Sequence, residues 1–154
     1  MIIRSAYTVV IAEDVERTRS GLESFLQQMG SGFTVIATFE NGREAYKYVA
    51  EHRVDVLLCD IRLPLFSGVD IARSLHDKKS RTKIVFISAY RDFDYAVSAL
   101  EFGVDTYLTK PVRERELLDV FERIRVALDT ERGEQIDKSS LDTLSHAERV
   151  VAVA

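Results

Sequence analysis

Five times along this chain a short β-rich run gives way to apolar residues recurring at helical spacing. Tyr7–Ala12 is the first run, and Val15, Leu22, Phe25, Leu26 and Met29 follow at helical period. Gly30-Ser31-Gly32 stops that helix. Phe33–Phe39 reads as the second strand and Gly42–His52 as the second helix. Val54–Cys59 is apolar apart from Asp55, as expected of a central parallel strand covered on both faces. A loop with Pro64 and Gly68 leads to a helix from about Val69 to Asp77. Lys83–Ser88 is the fourth strand, and Asp92–Phe102 the fourth helix, stopped by Gly103. Asp105–Thr109 is a short fifth strand. A fifth helix runs from about Arg113 to Asp129, with Leu117, Phe121, Ile124 and Leu128 as its core-facing stripe.

Strands alternating with helices of this length imply right-handed crossovers and a doubly wound parallel α/β sheet. Such sheets bind ligands at the carboxyl ends of their strands, near the point where the strand order reverses. Glu13-Asp14, Asp60, Ser88 and Lys110-Pro111 all fall at strand ends of that kind. Three carboxylates, one hydroxyl and one ammonium would converge on one rim. That set can bind Mg²⁺ and accept a phosphoryl group. Asp60 would be the nucleophile, since a carboxylate can form an acyl phosphate. Glu13 and Asp14 would hold Mg²⁺, a hard cation that prefers oxygen ligands, and the cation would relieve their mutual repulsion. Lys110 would supply fixed positive charge and Ser88 a hydrogen bond to the phosphoryl oxygens, because phosphoryl transfer needs mainly positioning and charge neutralisation.

The totals exclude several alternatives. A chain of 154 residues suffices for one domain with a full core and little else. The formal net charge of -4 disfavours a nucleic-acid surface spread over the whole domain. One cysteine, Cys59, leaves no internal disulfide and suits a reducing cytoplasm. The six residues before the first strand are too few for a signal peptide, and no apolar run approaches membrane-spanning length. His52, His76 and His146 show no zinc spacing. Thr130–Ser140 reads as a polar linker, and Ser145-His146-Ala147-Glu148 as a capping box opening a short helix.

Residues 7–128 resemble a response-regulator receiver domain of two-component signalling. The acidic pair of that family matches Glu13-Asp14, and its phospho-acceptor matches Asp60. Pro64 and Gly68, four and eight positions later, also match, as do Ser88, the switch aromatic Tyr107 and the Lys110-Pro111 pair. The resemblance implies a five-stranded (βα)5 sheet in the order 2-1-3-4-5. It also implies that the backbone carbonyl of Arg62 joins the metal ligands and that a cis peptide precedes Pro111. On phosphorylation, Ser88 would move toward Asp60 and Tyr107 would turn inward behind it. The face made by the fourth helix, fifth strand and fifth helix would then change shape. Arg62 and Tyr90 occupy positions that tune dephosphorylation, and two large residues there imply a long-lived phosphoryl group. The implied partner is a sensor histidine kinase, with homodimerisation through the switching face and a transcriptional output. DNA would be reached only through an output domain absent from this chain. The implied organisation is a receiver over 1–130, then a linker and short helix over 131–154 where a truncated output domain begins. Matches to receivers of AraC-type regulators, and a weaker one of Leu144–Val151 to a LuxR-type helix, point to such an output.

Each residue alone has a blander reading. Glu13-Asp14 could be an acidic helix start favoured by the helix dipole, Tyr107 ordinary strand core, and Cys59 a small buried hydrophobe. Other functions fit less well. A haloacid-dehalogenase-type phosphatase would want a second Asp where Arg62 stands. A flavodoxin-like binder would not place Glu13-Asp14 in its phosphate loop. A receiver-like interaction module that takes no phosphate would lack an acid or the lysine, and neither is missing.

Overall fold

A computed structural model describes residues 7–30, 32–89 and 100–141, with side chains described over 7–30, 32–89 and 101–133. The strands are β1 (Tyr7–Ala12), β2 (Phe33–Phe39), β3 (Val56–Asp60), β4 (Lys83–Ser88) and β5 (Thr106–Thr109). They form one sheet in the order β2-β1-β3-β4-β5, with every pairing parallel. The helices are α1 (Glu16–Gln28), α2 (Gly42–Glu51), α3 (Gly68–Asp77) and a long helix (Glu114–Leu141). The chain divides into two compact units, 1–118 and 119–154. The first holds the whole sheet, and the second, as far as described, is the remainder of the long helix.

Burial explains why β3 lies in the middle. All five of its residues are buried, as a strand covered by helices on both faces requires. Val10, Leu57, Cys59, Ile71, Ala72 and Phe86 sit in one apolar cluster that also takes Ala45 and Val49 from α2. The edge strand β2 carries a register shift against β1: Val9 pairs with Val35 but Val10 with Ala37, so Ile36 is an extra, exposed residue. Such bulges twist a strand edge and blunt it against further pairing. The helix ends follow local chemistry. Asn41 caps α2 by accepting from the Glu44 N–H at 2.9 Å. Ser67 and Asp70 form a full capping box on α3. Gly30 has φ +65° just past α1, where a left-handed residue ends a helix most easily.

Three expectations need correction. Val15 is not on the buried stripe of α1: it is the N-cap residue and is 48% exposed. The third strand begins at Val56 rather than Val54, because the Asp55 side chain and N–H bond to Thr8 before ladder pairing starts. The last helix does not stop at Asp129 but runs on to Leu141, through the segment read as a linker. That segment has no proline, and Glu131, Arg132, Glu134, Gln135 and Lys138 are good helix formers. Gly133 costs the helix only about 1 kcal/mol. Polarity marks a solvated helix as well as it marks a linker. All four stripe positions, Leu117, Phe121, Ile124 and Leu128, are buried. The expected fourth helix lies outside the described residues apart from a 3-10 turn at Leu100–Phe102, as do Tyr90 and the Ser145–Glu148 cap. No helix among the described residues is long and apolar enough to cross a membrane.

Candidate functional site

The strand order reverses between β1 and β3, and the loops leaving these two strands diverge there. Glu13 follows β1 directly, and its N–H continues the ladder to the Phe39 carbonyl at 3.0 Å. That pairing turns the Glu13 side chain into the protein, where it is fully buried, while neighbouring Asp14 is exposed. Asp60 is the last residue of β3 and is 5% exposed. Lys110 follows β5, and its N–H donates to the Ser88 carbonyl at 2.8 Å, tying the ends of β4 and β5. Its Nζ lies 2.6 Å from Asp60 Oδ2 and 2.6 Å from Glu13 Oε1. Carboxylate oxygens of Glu13, Asp14 and Asp60 all lie within 4.8 Å of one another. Asp60 Oδ1 accepts from the Arg62 N–H at 3.0 Å, and the Glu13 carbonyl accepts from Arg19 Nη1 at 2.8 Å.

The loop from Asp60 to α3 is shaped by backbone. The Ile61 N–H donates to the Ile87 carbonyl at 3.0 Å, and the Gly68 N–H to the Ile61 carbonyl at 2.8 Å. A Cβ at Gly68 would sit 2.6 Å from the Asp60 carbonyl oxygen, so only glycine fits behind the acid. Ser88 is buried at the end of β4. Tyr107, half-buried, stands in β5 opposite Phe86 and packs on the apolar cluster. The Lys110–Pro111 peptide is cis. Arg62 is exposed beside Asp60.

Charge is out of balance at this rim. Burial pushes the Glu13 carboxyl up to about 7; Asp60 adds to the rise and Lys110 opposes it. Burial pulls the Lys110 ammonium down, but Asp60 and Glu13 outweigh it and hold its pKa above the usual lysine range. Burial pushes the Cys59 thiol up, with Asp60 and Glu13 adding to it, so this thiol is inert. Despite its ion pair with Lys110, neither oxygen of Glu13 accepts a hydrogen bond of good geometry. Glu13 and Asp60 share the single Lys110 ammonium, and a buried carboxylate so thinly supplied is costly. A hard divalent cation would supply both missing charge and missing partners, so the residues present fit Mg²⁺. Glu13, Asp14 and Asp60 are the side chains that would hold it.

Sequence reasoning missed Gly42, read only as a helix start. An added Cβ there would lie 1.6 Å from the Phe66 carbonyl oxygen in the loop after Asp60. The Asn41-Gly42 pair carried a capping signal but none for this approach, which depends on how α2 meets a loop distant in sequence.

Known proteins share this fold. The response regulator receiver domain family matches residues 9–122. An uncharacterized response regulatory protein of Vibrio cholerae is 33% identical over 127 residues, 82% of this chain and 48% of its own length. The probable C4-dicarboxylate response regulator DctR of Priestia megaterium is 26% identical over 94% of this chain and 60% of its own length. The uncharacterized transcriptional regulatory protein YesN of Bacillus subtilis is 23% identical over 91% of this chain and 37% of its own. This chain thus spans about half the length of the curated relatives it matches. Among solved structures, the REC domain of AraT, a response regulator from Geobacillus stearothermophilus, superposes with a TM-score of 0.76 at 29% identity. The match covers 82% of this chain and 98% of that one. With the family match over residues 9–122 and the same fold in the solved REC domain, the chain belongs to the response regulator receiver domain family.

Proposed function

We propose that the chain is a phosphorylation-dependent receiver in which Asp60 accepts a phosphoryl group from a sensor histidine kinase. The observation that carries this reading is the pair of buried acids Asp60 and Glu13 joined by the half-buried Lys110, with Asp14 beside them, at the carboxyl end of the sheet. The Asp60 carboxylate forms an oxygen–phosphorus bond as the bond from phosphorus to the donor breaks, and the donor leaves with its electron pair. Lys110 Nζ stabilises charge on the transferred oxygens and gives up its present contact with Asp60 to do so. Ser88 donates its hydroxyl to the acyl phosphate. The Arg62 N–H on Asp60 Oδ1 orients the carboxylate. Glu13, Asp14, Asp60 and the Arg62 carbonyl would hold Mg²⁺, which would supply charge neutralisation when bound.

The receiver switches by population shift: Ser88 and Tyr107 rearrange and alter the face built on β5. That face controls a transcriptional output carried by further sequence, in the cytoplasm, through homodimerisation. The relatives named as transcriptional regulators support that direction. The chain is not a dedicated enzyme; its chemistry is its own phosphorylation and dephosphorylation. By the resemblance, Arg62 and Tyr90 stand at positions that tune dephosphorylation, so Arg62→Ala with Tyr90→Ala should speed phosphate loss.

The test is intact mass after incubation with acetyl phosphate and Mg²⁺. One phosphoryl mass is expected on the wild type, and none on Asp60→Asn or without Mg²⁺. No adduct, with Mg²⁺ binding present and hydrolysis shown slower than detection, would favour a phosphorylation-independent interaction module.

A further inference from the structure

The loop between β3 and α3 is pinned on its far side by α2, a helix that contributes no ligand to the cation site. The Pro64 carbonyl accepts two N–H groups, from Gly42 at 3.0 Å and from Phe66 at 2.9 Å. The second bond spans only residues 64 to 66 around Leu65, whose φ is +73°. A γ-turn of this hand is rare and strained. Leu65 is also 64% exposed, so its own packing does not hold it there. Strain of this kind persists only where the surroundings over-determine it. Here the surroundings are α2. The Phe66 carbonyl oxygen fills the space a Cβ would take at Gly42, at 1.6 Å. The Phe66 ring meets the Tyr46 ring at 5.4 Å between centroids, and Lys78 Nζ of the α3 end lies 5.2 Å from the Tyr46 ring centre.

The pinned turn begins two residues after Arg62. Arg62 holds Asp60 Oδ1 by its N–H, and its carbonyl belongs to the proposed ligand set. Mg²⁺ demands near-ideal octahedral geometry at short distances. A shift of the turn is therefore felt at the site through a loop too short to absorb it.

We propose that Gly42 and Tyr46 of α2 are positioning residues for the cation site at Asp60, acting through the Pro64-Leu65-Phe66 turn packed against them. This rests on the receiver reading of Asp60. Any larger residue at 42 must push the turn away from α2, because the atoms it meets are backbone.

The experiment is calorimetric titration of the chain with Mg²⁺, without phosphodonor, on wild type, Gly42→Ala, Tyr46→Leu and Gly21→Ala, with melting temperatures alongside. Gly21 is the control: an added Cβ there has nothing within 4 Å. Gly42→Ala should raise the Mg²⁺ dissociation constant roughly ten-fold, the effect typical of groups that orient ligands. Tyr46→Leu should raise it less, and Gly21→Ala not at all. The Mg²⁺ concentration giving half-maximal phosphorylation by acetyl phosphate should shift by the same factor, with the rate at saturating Mg²⁺ retained. If Gly42→Ala does not fold, Tyr46→Leu decides. A folded variant with lowered melting temperature but wild-type Mg²⁺ affinity overturns the proposal, leaving α2 a merely structural support. A wild type that neither binds Mg²⁺ nor takes a phosphoryl group overturns the receiver reading itself, and does so without any variant.

Discussion

Asp55 precedes β3 and Asp60 ends it, and the two acids have opposite circumstances. At the amino end of the sheet, Asp55 Oδ2 accepts from the Thr8 N–H at 2.8 Å and the Thr8 hydroxyl at 3.2 Å, and that hydroxyl accepts from the Asp55 N–H at 3.0 Å. Asp105 does the same nearby, with Oδ2 taking the Ile84 N–H at 2.8 Å. These acids join strand to strand with their partners in place. At the carboxyl end, Asp60 shares one lysine with a buried Glu13 whose oxygens accept no hydrogen bond of good geometry, and Asp14 adds a third carboxylate. One rim is satisfied and the other under-supplied. Places where a protein breaks local rules are where function is expected, and the shortage at the Asp60 rim is what a cation and a phosphoryl group would fill.

The sharpest way to separate the two rims is exchange of the acids. Asp60→Asn should abolish phosphorylation by acetyl phosphate completely, read by intact mass, while the protein stays folded. Asp55→Ala should leave phosphorylation and Mg²⁺ affinity unchanged but lower stability by about 2 kcal/mol, since it strips a charged acceptor from a strand N–H. Urea denaturation with and without Mg²⁺ measures it; a matching loss of Mg²⁺ affinity would erase the contrast. Glu13→Gln should act in the opposite sense, stabilising the metal-free protein by about 1 kcal/mol at pH 8 by removing a poorly paired buried charge, while weakening Mg²⁺ binding.

The pH dependence sharpens the same contrast. The folded protein holds the Glu13 proton to about 7, whereas the unfolded chain releases it near 4.5. Between those values the folded state binds more protons, so the Glu13 contribution makes stability fall as pH rises. Above about 7 the loss is complete. Lys110, whose pKa is raised, stays charged throughout this window and adds no slope. Stabilisation by Mg²⁺ should accordingly grow as pH passes about 7, because the cation no longer competes with a proton. Melting temperatures of wild type and Glu13→Gln from pH 5 to 8.5, with and without Mg²⁺, should show this slope in the first and not in the second.

Much of this was legible because it is local. β2 and β4 have the bounds read from apolar periodicity, and Gly30 ends α1 with a positive φ. Placement at strand ends brought Asp60, Glu13-Asp14 and Lys110 into one candidate set without any coordinates. Other features depended on partners far along the chain. Asp55 looked like a flaw in an apolar strand until Thr8 stood beside it. The segment after Asp129 looked like a linker because polarity alone does not distinguish coil from solvated helix.

The sequence by itself determined the parallel α/β architecture, the order of its elements and the rim at which chemistry gathers, because periodicity and strand-end position are properties of neighbouring residues. Only the tertiary structure decided that Glu13 is buried while Asp14 is exposed, that Lys110 reaches two carboxylates at once, and that a turn after Asp60 rests on Gly42. Those are matters of which residues meet across long stretches of chain. Burial and charge balance arise only where such residues meet.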